Sequence, residues 1–150
     1  MRFESTPPNK MTIWHQPYTL DEINSRGKDT MVEYLGICFT EITAENLSAV
    51  MPVDHRTVQP LGLLHGGASA VLAETIGSTA ANLCVDPSKY YCVGLNIYVN
   101  HIRSVREGVV TGKATPIHRG RSTQVWEIQI VNEGKKLTSV SRLTMVVLKK

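Results

Sequence analysis

Long apolar runs are missing from this chain of 150 residues. A segment that spans a bilayer needs roughly 20 consecutive apolar residues, and no run in the sequence approaches that length. The opening stretch, MRFESTPPNK, also lacks the continuous apolar segment of a secretory signal. We therefore expect neither a membrane-spanning segment nor an export signal, and the cytoplasm is the default location.

Cysteine is also scarce, and the net charge is small. The three cysteines, Cys38, Cys84 and Cys92, have no C-x-x-C spacing, and each has apolar neighbours. This pattern predicts buried, reduced thiols, and it argues against a disulfide framework or a zinc site. The net charge is only +3, and Lys149 and Lys150 supply much of the excess, so no nucleic-acid partner is expected.

Internal repeats and low-complexity linkers are absent as well, so the sequence gives no reason to divide the chain. With 42% hydrophobic residues, its composition is that of an ordinary globular protein. Pro7, Pro8 and Asn9 predict a loose tail over residues 1–10. We expect the remaining residues, 11–150, to form a single domain.

Helix-capping patterns occur twice near the start of that domain. Thr19 and Glu22 have the spacing of a capping box, and Gly27 is a plausible end for the helix. The segment 30–33 repeats this spacing and leads to Gly36. Two short helices are therefore predicted.

Strand-forming residues occur in two runs before a long helical stretch and in four runs after it. The predicted strands are 36–42, 47–53, 91–102, 108–115, 123–131 and 137–148. Turn residues separate them at 45–46, 106–108, 118–121 and 132–134. This order predicts an α+β fold, with an antiparallel sheet and one long helix packed on its face.

The helical stretch contains the sequence LLHGGASAVLAETIGS, which is built almost wholly from small and aliphatic residues. A helix that is apolar nearly all round is a buried one, and its small residues permit close approach of the sheet. Glu74 is the only permanent charge between Arg56 and Asp86. Gly66 and Gly67 sit just before this helix, where the exposed amides of a first helical turn can receive negative charge.

Three blocks of sequence resemble a known family, the hotdog-fold acyl-CoA thioesterases, and in particular the bacterial 4-hydroxybenzoyl-CoA and 1,4-dihydroxy-2-naphthoyl-CoA thioesterases. The blocks are MPVDHRTVQPLGLLHGGASAVLAETIGS at 51–78, VGLNIYVNHIR at 93–103 and PIHRGRSTQVWEI at 116–128. The similarity covers residues 11–148. It implies an antiparallel sheet wrapped around one long central helix. It also implies dimers that pair into homotetramers, with active sites between subunits.

The same resemblance implies hydrolysis of an aromatic or medium-chain acyl-CoA thioester, with no cofactor, since CoA is part of the substrate. Glu74 corresponds to the catalytic nucleophile or general base, and the backbone amide of Gly66 corresponds to the group that polarises the thioester carbonyl. Gln59 and His65 correspond to polar residues beside the thioester, and Ser78 to a hydroxyl near the carboxylate. From the residues alone, the alternative interpretation of Glu74 is half of a buried ion pair, with a basic partner from elsewhere in the chain.

CoA contacts are implied in the later blocks. The corresponding residues are Gly94, His101, Ile102, Arg103, Ser104, His118, Arg119, Gly120, Arg121, Ser122 and Thr123. Among these, the arginines have the charge to bind phosphates. Ser104 stands where close relatives frequently have a proline, so the resemblance does not fix the backbone conformation of that loop.

Two other functions are compatible with the same fold. An enoyl-CoA hydratase would use an Asp and His pair at the entry to the helix, and Asp54 and His55 precede the helix but do not lie on it with Glu74. A noncatalytic acyl-CoA-binding module would be expected to lack the carboxylate on the helix. In every case a single sheet leaves an open edge and face, which predicts at least a stable dimer.

Overall fold

The structure is a computed structural model that describes residues 11–150, and the predicted tail over residues 1–10 lies outside them. The helices are α1 (Leu20–Ser25), α2 (Met31–Tyr34) and α3 (Gly66–Leu83). The strands are β1 (Cys38–Ile42), β2 (Leu47–Pro52), β3 (Tyr90–His101), β4 (Val109–Arg119), β5 (Thr123–Val131) and β6 (Leu137–Lys149). Within residues 11–150, no helix is both long enough and apolar enough to cross a membrane.

The six strands form one antiparallel sheet in the order β1-β2-β4-β5-β6-β3, and α3 packs against one face of it. Close approach depends on glycine, because a Cβ on Gly77 would lie 2.6 Å from Leu143 Cδ2 and 3.1 Å from Ile128 Cδ1. Leu72 and Ile76 of α3 are fully buried against the sheet. The predicted α+β hotdog fold is confirmed.

The two predicted short helices form, but only one has the complete cap. At α1 the Glu22 amide donates to Thr19 Oγ1 (3.2 Å), and the Thr19 amide donates to Glu22 Oε2 (2.8 Å). At α2 the Glu33 carboxylate accepts from the Asp29 amide at 2.8 Å instead of from Thr30. Asp29 has a left-handed backbone with φ of 59°, and this brings its own N–H to the carboxylate.

The hairpin between β4 and β5 is tighter than predicted. A register shift between Pro116 and His118 lets pairing continue to Arg119, which lies opposite Gln124. The predicted turn at 118–121 was therefore wrong at its start, because His118 and Arg119 belong to the strand. Gly120 closes the turn by donating its N–H to the Thr123 carbonyl at 2.8 Å.

The predicted burial of all three cysteines was wrong for Cys38. This residue is exposed on β1, because strand alternation gives the core position to the adjacent Phe39. Cys92 is buried and Cys84 is partly buried. Burial raises the pKa of Cys92 to about 11 and that of Cys84 to about 12, with the Arg119 side chain opposing the rise at Cys84.

Candidate active site

A tight hairpin immediately precedes α3. Val58 and Leu64 form an antiparallel bridge, and the Gln59 amide donates to the Leu63 carbonyl at 2.8 Å. Gly62, with φ of 74°, takes the left-handed position that this short turn requires. The side-chain oxygen of Gln59 accepts the Leu61 amide, which fixes Gln59 beside the helix start.

Within the described residues, one backbone donor in the first turn of α3 has no hydrogen-bond partner. His65 is the N-cap, and its Nδ1 accepts the Gly67 amide at 2.8 Å. The His65 carbonyl accepts the amides of Ala68 (2.9 Å) and Ser69 (3.1 Å). No partner for the Gly66 N–H is found within residues 11–150. At the positive end of the helix dipole, this amide is suited to an oxygen that gains negative charge.

A cleft of about 310 Å³ opens beside this free amide. It is lined by Gln59, Leu63, Leu64, Gly66, Ser69, His101, Ile102, Arg103, Ser104 and Thr138. The His101 ring lies over Gly66, since a Cβ there would be 2.8 Å from His101 Nε2. The Thr138 carbonyl fixes the segment 102–103 on one side of the cleft, because it accepts hydrogen bonds from the amides of Ile102 (2.8 Å) and Arg103 (3.1 Å).

Six predicted site residues thus meet in this cleft, whereas Ser69 and Thr138 were not predicted. The six are Gln59, Gly66, His101, Ile102, Arg103 and Ser104. No sequence signal marks Ser69 or Thr138, because the first looks like a small helix-packing residue and the second contributes through its backbone.

Glu74 lies further along α3 and is partly buried. Its carboxylate rests against β3 at Gly94, where any Cβ would overlap Glu74 Oε1. Glycine at position 94 therefore makes the space that the carboxylate occupies. Among the residues that the structure describes, no basic side chain forms an ion pair with Glu74. The alternative interpretation, that Glu74 belongs to a structural ion pair, therefore finds no cationic partner within residues 11–150.

Gly66 and Glu74 do not meet within one chain. Eight residues of helix separate them, which corresponds to about 12 Å. Their neighbours on β3, His101 and Gly94, are seven residues apart, which corresponds to roughly 20 Å. A thioester held at the Gly66 amide is therefore out of reach of the Glu74 carboxylate of the same chain.

The remaining predicted residues lie towards the other end of α3. Ser78 lines a second cleft of about 320 Å³, and its hydroxyl makes only a long contact of 3.4 Å with the Thr75 carbonyl. This cleft is lined by Tyr18, Arg26, Ser78, Thr79, Asn82, Pro87, Tyr90, Tyr91 and Lys150. The segment 118–123 is at this end too, since the Arg119 side chain approaches Cys84, the C-cap of α3.

Asp54 is hydrogen-bonded to Arg56, whereas His55 Nδ1 lies 4.0 Å from Asp54 Oδ1. Arg56 donates to Asp54 through its side chain (Nη2 to Oδ2, 2.7 Å) and its backbone amide (2.9 Å), and these hydrogen bonds lower the pKa of Asp54 to about 2. Arg56 also donates to the Tyr34 carbonyl at 3.0 Å. His55 is almost fully exposed. The hydratase arrangement is therefore not formed at this position.

Asn82 is a further residue that the sequence did not single out. Its Oδ1 accepts the Cys92 amide at 2.8 Å, and its Nδ2 donates to the Cys92 carbonyl at 3.1 Å. Nδ2 also donates to the Ser78 carbonyl at 2.9 Å. The Asn82 side chain thus ties the last part of α3 to the backbone of β3.

The six-stranded antiparallel sheet around the long helix α3 has the architecture of the hotdog fold. Residues 61–139 match the Thioesterase superfamily, and the chain belongs to it. The prediction of a thioester-hydrolysing enzyme is confirmed by this match and by relatives that are named hydrolases and thioesterases.

Two relatives and one solved structure illustrate the similarity. The 1,4-dihydroxy-2-naphthoyl-CoA hydrolase of Escherichia coli is 50% identical over 91% of this chain and 99% of its own length. The proofreading thioesterase EntH of Cronobacter sakazakii is 46% identical over 91% of this chain and 98% of its own length. The crystal structure of a mutant thioesterase from Pseudomonas aeruginosa superposes with a TM-score of 0.92 at 48% identity, covering 93% of this chain and 100% of that chain.

Proposed function

We propose that this protein hydrolyses an acyl-CoA thioester to the free acid and CoA. The observation that carries the proposal is the pair of unsatisfied groups on α3: the Gly66 N–H, free at the helix start, and the Glu74 carboxylate, free of any cation in the described residues. One donates to an oxygen that becomes negative, and the other is a base or nucleophile. Acyl transfer needs both.

In the proposed reaction the thioester carbonyl oxygen accepts a hydrogen bond from the Gly66 amide. Glu74 either removes a proton from a water molecule as that water attacks the carbonyl carbon, or attacks the carbon itself to form an anhydride that water then cleaves. In both routes the C–S bond breaks, the acid keeps the new oxygen, and the CoA sulfur leaves as a thiolate that is protonated. The protein supplies every group, so no cofactor is required.

Gln59, His65 and Ser78 have supporting roles in this proposal. His65 holds the Gly67 amide and so leaves the Gly66 amide for the substrate, while Gln59 stands in the same cleft. Ser78 is one helical turn beyond Glu74, where its hydroxyl can approach the carboxylate or the attacking water. The CoA phosphates would be bound by Arg103, Arg119 or Arg121, and the remaining residues of 101–104 and 118–123 would contact CoA nearby.

The proposed active site is shared between two copies of the chain. The separation of Gly66 from Glu74 supports this, because the reaction needs an amide and a carboxylate at the same thioester. Within one chain these two groups are too far apart. The free edge of β3 supports it as well, since Leu95 and Tyr98 are 60% and 69% exposed on that strand. We propose a dimer built on this edge, and a homotetramer formed by two such dimers.

An acyl-CoA panel tests the reaction. Release of free thiol should be measured with benzoyl, hydroxynaphthoyl, phenylacetyl and medium-chain thioesters, and kcat/KM compared among them. We expect hydrolysis. The highest kcat/KM should be found with an aromatic thioester, the kind of substrate for which the Escherichia coli relative is named. Binding without thiol release would instead indicate a noncatalytic module, and loss of enoyl absorbance would indicate a hydratase.

Mixed dimers test whether the site is shared. Glu74→Gln and Gly66→Pro each damage a different half, so each homodimer is expected to be nearly inactive. A purified heterodimer carrying one chain of each should recover about half the wild-type kcat per dimer, since one of its two equivalent sites is intact. Heterodimers as inactive as both parents would place the whole site within a single chain.

A further inference from the structure

Two asparagines bind the outer strands of the sheet in the same way. Asn82 of α3 accepts the Cys92 amide on Oδ1 at 2.8 Å and donates from Nδ2 to the Cys92 carbonyl at 3.1 Å. Asn24 of α1 accepts the Phe39 amide at 2.8 Å and donates to the Phe39 carbonyl at 3.0 Å. Cys92 is in β3 and Phe39 is in β1, the two edge strands. A carboxamide thus takes the place of a neighbouring strand at one residue of each edge strand.

The Asn82 contact lies beside the position of Glu74. Cys92 is two residues before Gly94, which corresponds to about 7 Å along β3. Gly94 is the residue against which the Glu74 carboxylate rests. The Asn24 contact is on β1, at the opposite edge of the six-stranded sheet. The two contacts are therefore alike in their hydrogen bonds and differ in their distance from Glu74.

Gly94 lies between the Asn82 contact and a bulge. The register of β3 on β6 shifts between Gly94 and Asn96, so the ladder is interrupted directly after Gly94. In the described part of the chain, the Glu74 carboxylate has no hydrogen-bond donor and no cationic partner. The hydrogen bonds between Asn82 and Cys92 therefore fix β3 to α3 on the side of Gly94 that the bulge does not disturb.

The Asn82 side chain is itself fixed to the helix. Its Nδ2 also donates to the Ser78 carbonyl at 2.9 Å, so both N–H groups and the oxygen of the carboxamide are bonded. Ser78 is one turn back along α3, the helix that carries Glu74. Aspartate has no N–H in its side chain and alanine has no polar group, so neither can make the same three bonds.

We propose that Asn82 is a positioning residue for Glu74. Its hydrogen bonds to Ser78 and Cys92 fix β3 to α3. The strand then holds Gly94 where the Glu74 carboxylate packs. This inference rests on the proposed hydrolysis and goes beyond it, because it assigns the alignment of the carboxylate to a residue that does not touch the reacting atoms.

Asn82→Ala tests the proposal. Alanine is the best helix former, so α3 should persist while all three side-chain hydrogen bonds are lost. A group displaced by about 1 Å can cost on the order of 10²-fold in rate, so kcat for thiol release should fall by roughly 10- to 10²-fold. KM should change by less than about twofold, because the base is misplaced and substrate binding is kept. A raised KM with unchanged kcat would assign Asn82 to substrate contact and would overturn the proposal.

Asn24→Ala is the matched control, because it removes the same pair of hydrogen bonds from β1. We expect a lower thermal midpoint in both variants and an unchanged kcat in Asn24→Ala. Equal losses of kcat would overturn the proposal, since they would assign the effect to a general loosening of the sheet edges. If Asn82→Ala does not fold, Asn82→Asp takes its place. Aspartate keeps an acceptor for the Cys92 amide but loses both donors, and kcat should again fall.

A double-mutant cycle shows whether Asn82 acts through Glu74. If it does, adding Asn82→Ala to Glu74→Gln should leave the residual kcat almost unchanged, because no carboxylate remains to be misplaced. The same fall in kcat in both backgrounds would show that Asn82 acts independently of Glu74, and the positioning role would be wrong.

Amide hydrogen exchange separates this proposal from the proposed reaction, because it needs no acyl-CoA. Exchange over residues 92–96 should be faster by at least about tenfold in Asn82→Ala than in the wild type, and unchanged in Asn24→Ala. Unchanged exchange over this segment in Asn82→Ala would overturn the positioning role even in an active enzyme. A wild-type protein that releases no thiol from any acyl-CoA, combined with this local change in exchange, would refute the reaction and not the hold of Asn82 on Gly94.

Discussion

Glu74→Gln is expected to lower kcat for acyl-CoA hydrolysis by at least about a hundredfold, since a positioned base or nucleophile commonly contributes roughly 10²- to 10⁴-fold. Glutamine keeps the shape of the side chain that rests against Gly94 but has no negative charge. Substrate binding should survive, because CoA recognition is assigned to other residues. Single-turnover hydrolysis and the thermal midpoint should be measured on the same preparation.

The stability of this variant separates a catalytic role from a structural one. No cation of the described residues pairs with Glu74, so its neutralisation should leave no buried charge alone and should not lower the midpoint strongly. Glu127→Gln is a matched control, since Glu127 is also partly buried but faces away from α3. A Glu74→Gln protein that melts early yet hydrolyses at near wild-type rate would disprove the catalytic role.

Gly66→Pro should lower kcat by roughly 10²- to 10³-fold, the usual effect of removing one oxyanion donor. Proline deletes the N–H that has no hydrogen-bond partner in the part of the chain that the structure describes, and the first helical position tolerates proline well. His65 already has the extended backbone that a residue before proline prefers, with φ of −65° and ψ of 131°. We therefore expect a folded protein, to be checked by circular dichroism alongside the kinetic measurement.

Gly66→Ala is the matched control for this variant. Alanine keeps the N–H but adds the same Cβ, which would lie 2.8 Å from the His101 ring. The difference in kcat between the alanine and proline variants therefore isolates the amide from the displacement of His101. Equal losses in the two variants would assign the effect to His101 and would remove the Gly66 amide from the reaction.

The order and type of the secondary elements followed from the sequence because their signals are local. Strand alternation, turn residues and the Thr19 cap act over a few neighbouring residues, so six strands and α3 were predicted in the right order. The errors also have local causes. A bulge after Pro116 extended β4 past the predicted turn, and a left-handed Asp29 redirected the second cap.

The residues proposed for the chemistry were also chosen from the sequence, since Glu74 is conspicuous in an apolar helix and three blocks resemble a known family. Their arrangement was not predicted. His65 takes the Gly67 amide and leaves that of Gly66, and Gly94 makes room for a carboxylate 20 positions earlier in the chain. The first relationship depends on the backbone geometry of the helix start, and the second joins residues that no short window of sequence contains together.

The sequence by itself therefore determined the fold class, because periodicity and caps depend on neighbours along the chain, and the resemblance of three sequence blocks to a known family supplied the candidate residues. Only the tertiary structure decided that Gly66 and Glu74 are too far apart to act in one chain, and that Asn82 occupies the edge of β3 at Cys92. These facts depend on how α3 crosses the sheet and on β3 pairing with β6 at its edge. Such long-range packing is fixed by the whole core, not by any local pattern.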